Sequence, residues 1–242
     1  MDRIKQYLLI LSMFLLNISA RANYYCNGFN MSESVFNNTS EQDTIRERQL
    51  LYNGILWKNM YHRIKEDQFL FSDYFLPGTL SINGQTFRNL KIRYDIYSDE
   101  ILIPLNLEDI VQVNKEMVDS FTISFENKEY KFTRFREESL KGLNGYVNVL
   151  YEGKSALYVK FKKNISLSMT ETTDGEFFQT NRIYFMKDST VHLITRTNDL
   201  FRVLDKDKIQ LRNYIKKNKL KVSKKIPESF VPILRFYDSI SQ

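Results

Sequence analysis

Through the middle of the chain apolar side chains recur at every second position, the spacing that places them on one face of a half-buried strand. In Leu90-Lys91-Ile92-Arg93-Tyr94-Asp95-Ile96-Tyr97 the residues Leu90, Ile92, Tyr94 and Ile96 share a face, while Lys91, Arg93 and Asp95 share the other. Ser98-Asp99 turns this strand and Glu100 to Leu105 returns. Val118 to Phe125 repeats the pattern through Phe121, Ile123 and Phe125, followed by the polar turn Glu126-Asn127-Lys128-Glu129 and a strand over Tyr130 to Phe135. Tyr146 to Tyr151, the turn Glu152-Gly153-Lys154 and Ala156 to Phe161 form a further hairpin. Thr79 to Ile82, Ile165 to Met169, Arg182 to Lys187 and Val191 to Thr195 bring the expected total to about ten short strands. Connections this short dictate antiparallel pairing, because a parallel crossover needs a dozen or more residues.

Five of the eight glycines directly follow Asn or Asp: Gly28, Gly54, Gly84, Gly145 and Gly175. Such dipeptides tolerate the positive φ of a two-residue type I′ turn and predict hairpins, including one over Tyr52 to Trp57 around Asn53-Gly54. No GxGxxG or GxxxxGK[ST] spacing points to a phosphate loop. After residue 197 the period lengthens to three or four. Leu200, Phe201 and Leu204, then Leu211, Tyr214 and Ile215, alternate with lysines and arginines as in amphipathic helices, with Asn198 and Asp205 as expected N-caps. Two helices or one rod fit this pattern equally well. Pro227 suits a first helical turn, and Phe230, Ile233, Leu234, Tyr237 and Ile240 line one side of a last helix, near the start of which Pro232 introduces a kink. The expected fold is therefore α+β, mainly β. An antiparallel meander over 50–197, either a barrel or a strongly twisted sheet, carries a helical C-terminal segment, 198–242, packed on it. Residues 23–49 read as a polar, partly flexible leader, with a short helix over Glu41 to Leu51.

Composition narrows the function classes. Of 242 residues 43% are hydrophobic and 14% aromatic, with only eight glycines and four prolines, which excludes a disordered or collagen-like chain. One cysteine and two histidines exclude an internal disulfide, a Cys-rich zinc site and a three-His metal centre, and no cofactor is expected. The basic start at Arg3 and Lys5, the apolar run Tyr7 to Leu16 and Ala20-Arg21-Ala22 read as a secretory signal peptide over residues 1–22. The run is too short for a membrane span, and no later segment reaches that length. Removing the leader lowers the formal charge from +6 to about +4, a mild excess that does not predict a nucleic-acid partner. Cys26 lies four residues into the mature chain, without the spacing of a lipid attachment site, and is expected as an inert thiol.

Three groups of residues are candidates for chemistry. His62 and His192 are the available imidazoles. His192 shares a strand face with Ile194, so a packing role outweighs a catalytic one for it, and His62 reads the same way. Cys26 sits too near the mature end for a rigid Cys-His pair, and there is no GxSxG elbow. Asp95, Asp99 and Glu100 flank one turn and offer a general acid/base pair or a calcium site. The plainer reading puts Asp95 in solvent opposite Lys91 and Arg93, gives Asp99 an Asx-type turn and starts the next strand at Glu100. Lys131 to Arg136 and Tyr158 to Lys163 interleave rings with cations as single-strand nucleic-acid or glycan binders do. No single stacking face emerges, so the rings are expected in the core and the cations in solvent.

The segments Leu51-Tyr52-Asn53-Gly54, Phe75-Leu76-Pro77-Gly78-Thr79-Leu80-Ser81-Ile82-Asn83-Gly84 and Tyr94 to Leu102, with the Lys-rich stretch Asp205 to Lys225, resemble a recurrent family of uncharacterised exported proteins from Bacteroidota. The resemblance covers roughly residues 50–105 and 146–240. It implies export and fold, and it carries no activity or residue role. The expected function is a non-enzymatic envelope binding or interaction module in the periplasm, at the outer membrane or outside the cell. Its partner would be an envelope protein or polysaccharide, bound through the sheet or the basic helical tail. The alternative is a secreted hydrolase of a sugar or peptide polymer working through carboxylates near Asp95 to Glu100.

Overall fold

The computed structural model describes residues 41–136, 143–168 and 174–240. The expected signal peptide and Cys26 lie outside these residues. The sheet, its C-terminal helices and the site all belong to one compact unit, residues 49–242; of the other unit, residues 1–48, the described part belongs to helix α1 (Glu41–Leu51).

Among the described residues twelve strands form one open sheet: β1 (Gly54–Leu56), β2 (Ile64–Lys65), β3 (Leu76–Ile82), β4 (Gln85–Asp95), β5 (Glu100–Pro104), β6 (Ile110–Val113), β7 (Val118–Phe125), β8 (Lys128–Phe135), β9 (Gly145–Glu152), β10 (Ser155–Leu167), β11 (Gly175–Lys187) and β12 (Thr190–Ile194). The spatial order is β1-β6-β5-β4-β3-β7-β8-β9-β10-β11-β12. Two meanders thus share β3, one running through β4 to β6 and the other from β7 to β12. Every pairing on this path is antiparallel, as the short connections require. The off-path strand β2 lies parallel to β11, which makes the sheet mixed. The sheet does not close, although its curl brings β10 back to the end of β4, where the Lys163 N–H donates to the Ile96 carbonyl at 3.2 Å.

The period-two faces are those the pattern predicts. Ile92, Tyr94 and Ile96 are buried with Leu80, Ile82, Phe121, Ile123 and Phe132 in the main core. At its centre Tyr94, Phe121, Phe132 and Tyr146 form an aromatic nest, with Phe121 and Phe132 stacked at 4.5 Å and the two tyrosines edge-on to them. A second core lies under the C-terminal helices α2 (Thr197–Val203), α3 (Lys208–Lys217) and α4 (Val231–Ile240). Leu200, Leu204, Leu211, Phe230, Ile233 and Leu234 pack there on Leu157, Val159, Ile183 and Phe185. The structure thus selects two helices over one rod for 197–217. Pro227 opens a 3₁₀ turn (Pro227–Phe230) that leads into α4, and Pro232 is the second residue of that helix, where a missing N–H leaves no intrahelical bond unmade.

Several turn and cap expectations are corrected. Among the described Asn-Gly and Asp-Gly pairs, only Asn83-Gly84 is a two-residue turn with both φ positive. The same conformation is taken by Glu126-Asn127 between β7 and β8 and by Asp188-Ser189 between β11 and β12. Gly54 is no turn residue: it pairs with Val113 at the start of β1, and a Cβ there would strike the Gln112 carbonyl of the neighbouring strand. The predicted hairpin over Tyr52 to Trp57 is therefore an edge strand that joins β6. Asn198 is not the cap of α2. That helix starts one residue earlier and is held by Asp199, whose carboxylate accepts from the Thr195 and Arg196 N–H groups at 2.9 and 2.7 Å. Strand β6 and the outer half of β11 exceed what the pattern predicted, while the strand expected from Ile165 is, as far as Leu167, the end of a β10 continuous with Ala156 to Phe161.

Candidate functional site

The site grows from the aromatic nest. Tyr94 is buried because its strand face is apolar, but its hydroxyl leaves the nest and donates to Asp99 Oδ1 at 2.5 Å. Burial, then the Asp99 carboxylate, raises the Tyr94 pKa well above the phenol range, so this group stays a donor. Asp99 ends the β4–β5 turn with φ at 62°, a left-handed conformation that Asp tolerates better than most residues. Its carboxylate also takes Lys160 Nζ on Oδ1 at 2.8 Å, and Lys115 Nζ at 2.8 Å and the Tyr146 N–H at 3.3 Å on Oδ2. Lys115 further donates to the Asp99 carbonyl at 2.7 Å. Gly145 makes this approach possible: its φ is +68°, and a Cβ there would overlap Asp99 Oδ2 and come within 3.0 Å of Lys160 Nζ. The Asn-Gly pair at 144–145 thus serves the site and not a hairpin.

Around this post lies a cleft of about 420 Å³. Among the described residues its cations are Lys115, Arg134, Arg136, Lys160, Lys162 and Arg182, and Asp99 is its one carboxylate. They come from the turn after β6, from β8 and the residue that follows it, and from strands β10 and β11, which the curl of the sheet brings to one mouth. Arg134, 7% exposed, donates to the Lys115 carbonyl and to Glu116 Oε1, both at 2.5 Å, while its Nε is buried without a partner. Arg136 pairs with Asp119 at 3.2 Å. Lys162 and Arg182 have no ion pair among the described residues, and both are exposed. Burial lowers the Lys160 pKa, against the opposing pull of Asp99. Cations held by a fixed carboxylate at a partly walled surface focus positive potential and attract anions.

The carboxylate trio separates into different roles. Asp95 does not face solvent: it is 2% exposed, and its Oδ1 accepts from the Tyr97 and Ser98 N–H groups at 2.9 Å each. The Asx turn expected of Asp99 therefore belongs to Asp95, and Asp99 holds the lysines. Glu100 stands opposite Asp95 across β4–β5. Burial, partly offset by Lys115, pushes its pKa up to about 7. Neither Asp95 nor Glu100 lines the cleft. Among the described residues no three His, Cys, Asp or Glu side chains are placed to hold a metal ion.

His192 is half-buried, with its ring 6.4 Å from Phe185 across β11–β12, and His62 is exposed; neither lines the cleft. The two basic-aromatic segments divide as expected for the rings, since Phe132 and Tyr158 are core residues. Their cations depart from expectation. Arg134 and Arg136 of the first segment and Lys160 and Lys162 of the second meet in one cleft, and Arg134 and Lys160 are largely buried there. Lys115 and Arg182 carried no sequence signal of their own. Compared with protein-family models, curated proteins and solved structures, the chain matches none.

Proposed function

We propose that the protein is a non-enzymatic binding module of the cell envelope whose working surface is the cationic cleft, and that this cleft takes an anionic group of its partner. The observation that carries the reading is the charge imbalance. Among the described residues, four of the six cations pair with Asp99, Glu116 and Asp119, and Lys162 and Arg182 stay without a carboxylate partner. An arginine presents a planar fork of donors and a lysine a point charge, so together they suit carboxylate, sulfate or phosphate. The leader read at residues 1–22 supports an envelope location, and no described helix is long and apolar enough to cross a membrane.

Calorimetric titration with galacturonate, sulfate and phosphate tests the reading. It expects saturable binding of at least one anion, weakened by salt and lost in the double variant Lys160→Gln/Arg182→Gln. Absence of binding by all three, or binding indifferent to that variant, removes it. The hydrolase alternative draws on Glu100, whose raised pKa suits a general acid. Against it, Asp95 is occupied by its turn and Asp99 by two lysines. Polymer turnover lost in Asp95→Asn/Glu100→Gln would favour that alternative.

A further inference from the structure

The cleft does not end at its mouth. Strands β10 and β11 pair over thirteen residues each, but β9 accompanies β10 only from Ala156 to Val159. The outer hairpin is therefore a ledge that leads away from the cleft. Residues directly opposite in an antiparallel pair project on the same face, so the register fixes the order of side chains on that ledge. Tyr158 faces Tyr184, then Lys160 faces Arg182, Lys162 faces Thr180, and Asn164 faces Phe178. The Asn164 amide donates to Thr180 Oγ1 at 3.1 Å, which confirms that these outer side chains share a face. Rungs on one face recur about every 6.8 Å, so about 14 Å separates the Lys160–Arg182 rung from Phe178. Phe177, on the opposite face, is edge-on to Tyr61 and Tyr97, whereas Phe178 is 47% exposed. Glu176, opposite Ser166, ends the positive strip.

Resting on the reading of the cleft as an anion site, we propose that its ligand is an acidic polysaccharide laid lengthwise on this ledge. Carboxylate or sulfate groups of the chain meet Lys160, Arg182 and Lys162. Hydroxyls meet Thr180 and Asn164, and a sugar ring lies on Phe178. The strip is longer than one anionic group needs, and its polar residues beyond the cations are hydrogen-bonding and uncharged. A single-stranded nucleic acid wants a ring for successive bases, and here the rings that line the cleft are engaged in packing: Tyr184 is buried, Phe135 is edge-on to Tyr158 and Tyr97 is edge-on to Phe177. One exposed ring flanked by an amide and a hydroxyl fits a sugar face better.

The test is calorimetry on the purified chain with hexagalacturonate, a chondroitin sulfate hexasaccharide, monomeric galacturonate, maltohexaose and a ten-residue oligothymidylate. One or both acidic hexasaccharides are expected to bind at least about tenfold tighter than the monomer. Phe178→Ala is expected to remove most of that chain-length gain, about tenfold, and Phe178→Trp to keep it. The carboxylated and sulfated probes distinguish the two sources of anion. A hexasaccharide no tighter than the monomer overturns the inference while leaving the anion site standing, and so does oligothymidylate binding tighter than either glycan. If neither monomer nor polymer binds, both readings fall. Equal binding of maltohexaose also overturns the inference, because charge then plays no part.

Discussion

Replacing Asp99 by Asn tests whether this carboxylate organises the cleft. Asn keeps the side-chain shape and is at home at the φ of 62° that Asp99 adopts, so the turn itself is not perturbed. Its amide nitrogen, however, would face an ammonium group where an oxygen accepted one. The charge that compensates Lys115 at 2.8 Å and Lys160 at 2.8 Å is gone. Lys160 and Lys115 side chains are 12% and 24% exposed, so solvent replaces the lost partner only in part. Breaking a buried pair from one side costs about 3–5 kcal/mol, and hydrogen bonds to charged groups are worth about 1.5–3 kcal/mol each. With the residual exposure taken into account, the expected loss is about 2–4 kcal/mol in urea-induced unfolding, with an unchanged m-value. Adding Lys160→Gln removes one stranded charge, so the double variant should be more stable than the sum of the two single losses by at least about 1 kcal/mol. A loss below about 1 kcal/mol for Asp99→Asn, or strict additivity in the cycle, would refute the view that the carboxylate pins the two lysines.

Gly145→Ala places a Cβ on the Asp99 carboxylate at a positive φ, so it is expected to cost at least about 2 kcal/mol and to abolish anion binding; an alanine variant with wild-type stability and affinity would contradict this geometry. Glu100 has a folded-state pKa of about 7 against 4.5 unfolded, so the native state holds the extra proton and its stability should fall as pH rises from about 5 through 7. Asp95, also raised by burial, adds a decline of the same sign above its ordinary range. Urea unfolding at stepwise pH should show this decline flattened in Glu100→Gln, and identical profiles would dismiss it. Asp199→Ala removes the acceptor that ties Thr195 and Arg196 to the start of α2 and is expected to cost about 1 kcal/mol without altering anion affinity.

The faces of the inner strands were legible in sequence because burial on one side imprints a period of two. Val118 to Phe125 is delimited to the residue, and Ile92, Tyr94 and Ile96 point as read. In the outer β10–β11 hairpin the strand read at Ile165 is present as far as Leu167, but its continuity with Ala156 to Phe161 and the strand over Phe178 to Asn181 were not legible, since these residues protrude beyond β9 and are sorted by little burial. Strand β6 is four residues long, too short for a period to register. The glycines misled for a related reason. Gly54 and Gly145 are demanded by Gln112 and Asp99, partners distant in sequence, and the dipeptide that precedes each gives no sign of it. The site follows the same logic. Asp99 meets Lys160 across 61 positions, and Arg182 pairs opposite Lys160 only through the register of the hairpin. Local windows exposed the cations of β8 and β10 but not their convergence, which depends on the curl of the whole sheet.

The most direct measurement is a ¹⁵N–¹H correlation titration of the labelled protein with galacturonate, followed residue by residue. Binding in the cleft predicts saturable shifts clustered at Asp99, Lys115, Gly145, Lys160 and Arg182, and these shifts should vanish in Lys160→Gln/Arg182→Gln. Shifts confined to the basic stretch Lys208 to Lys225, or spread over the surface without saturation, would contradict the account.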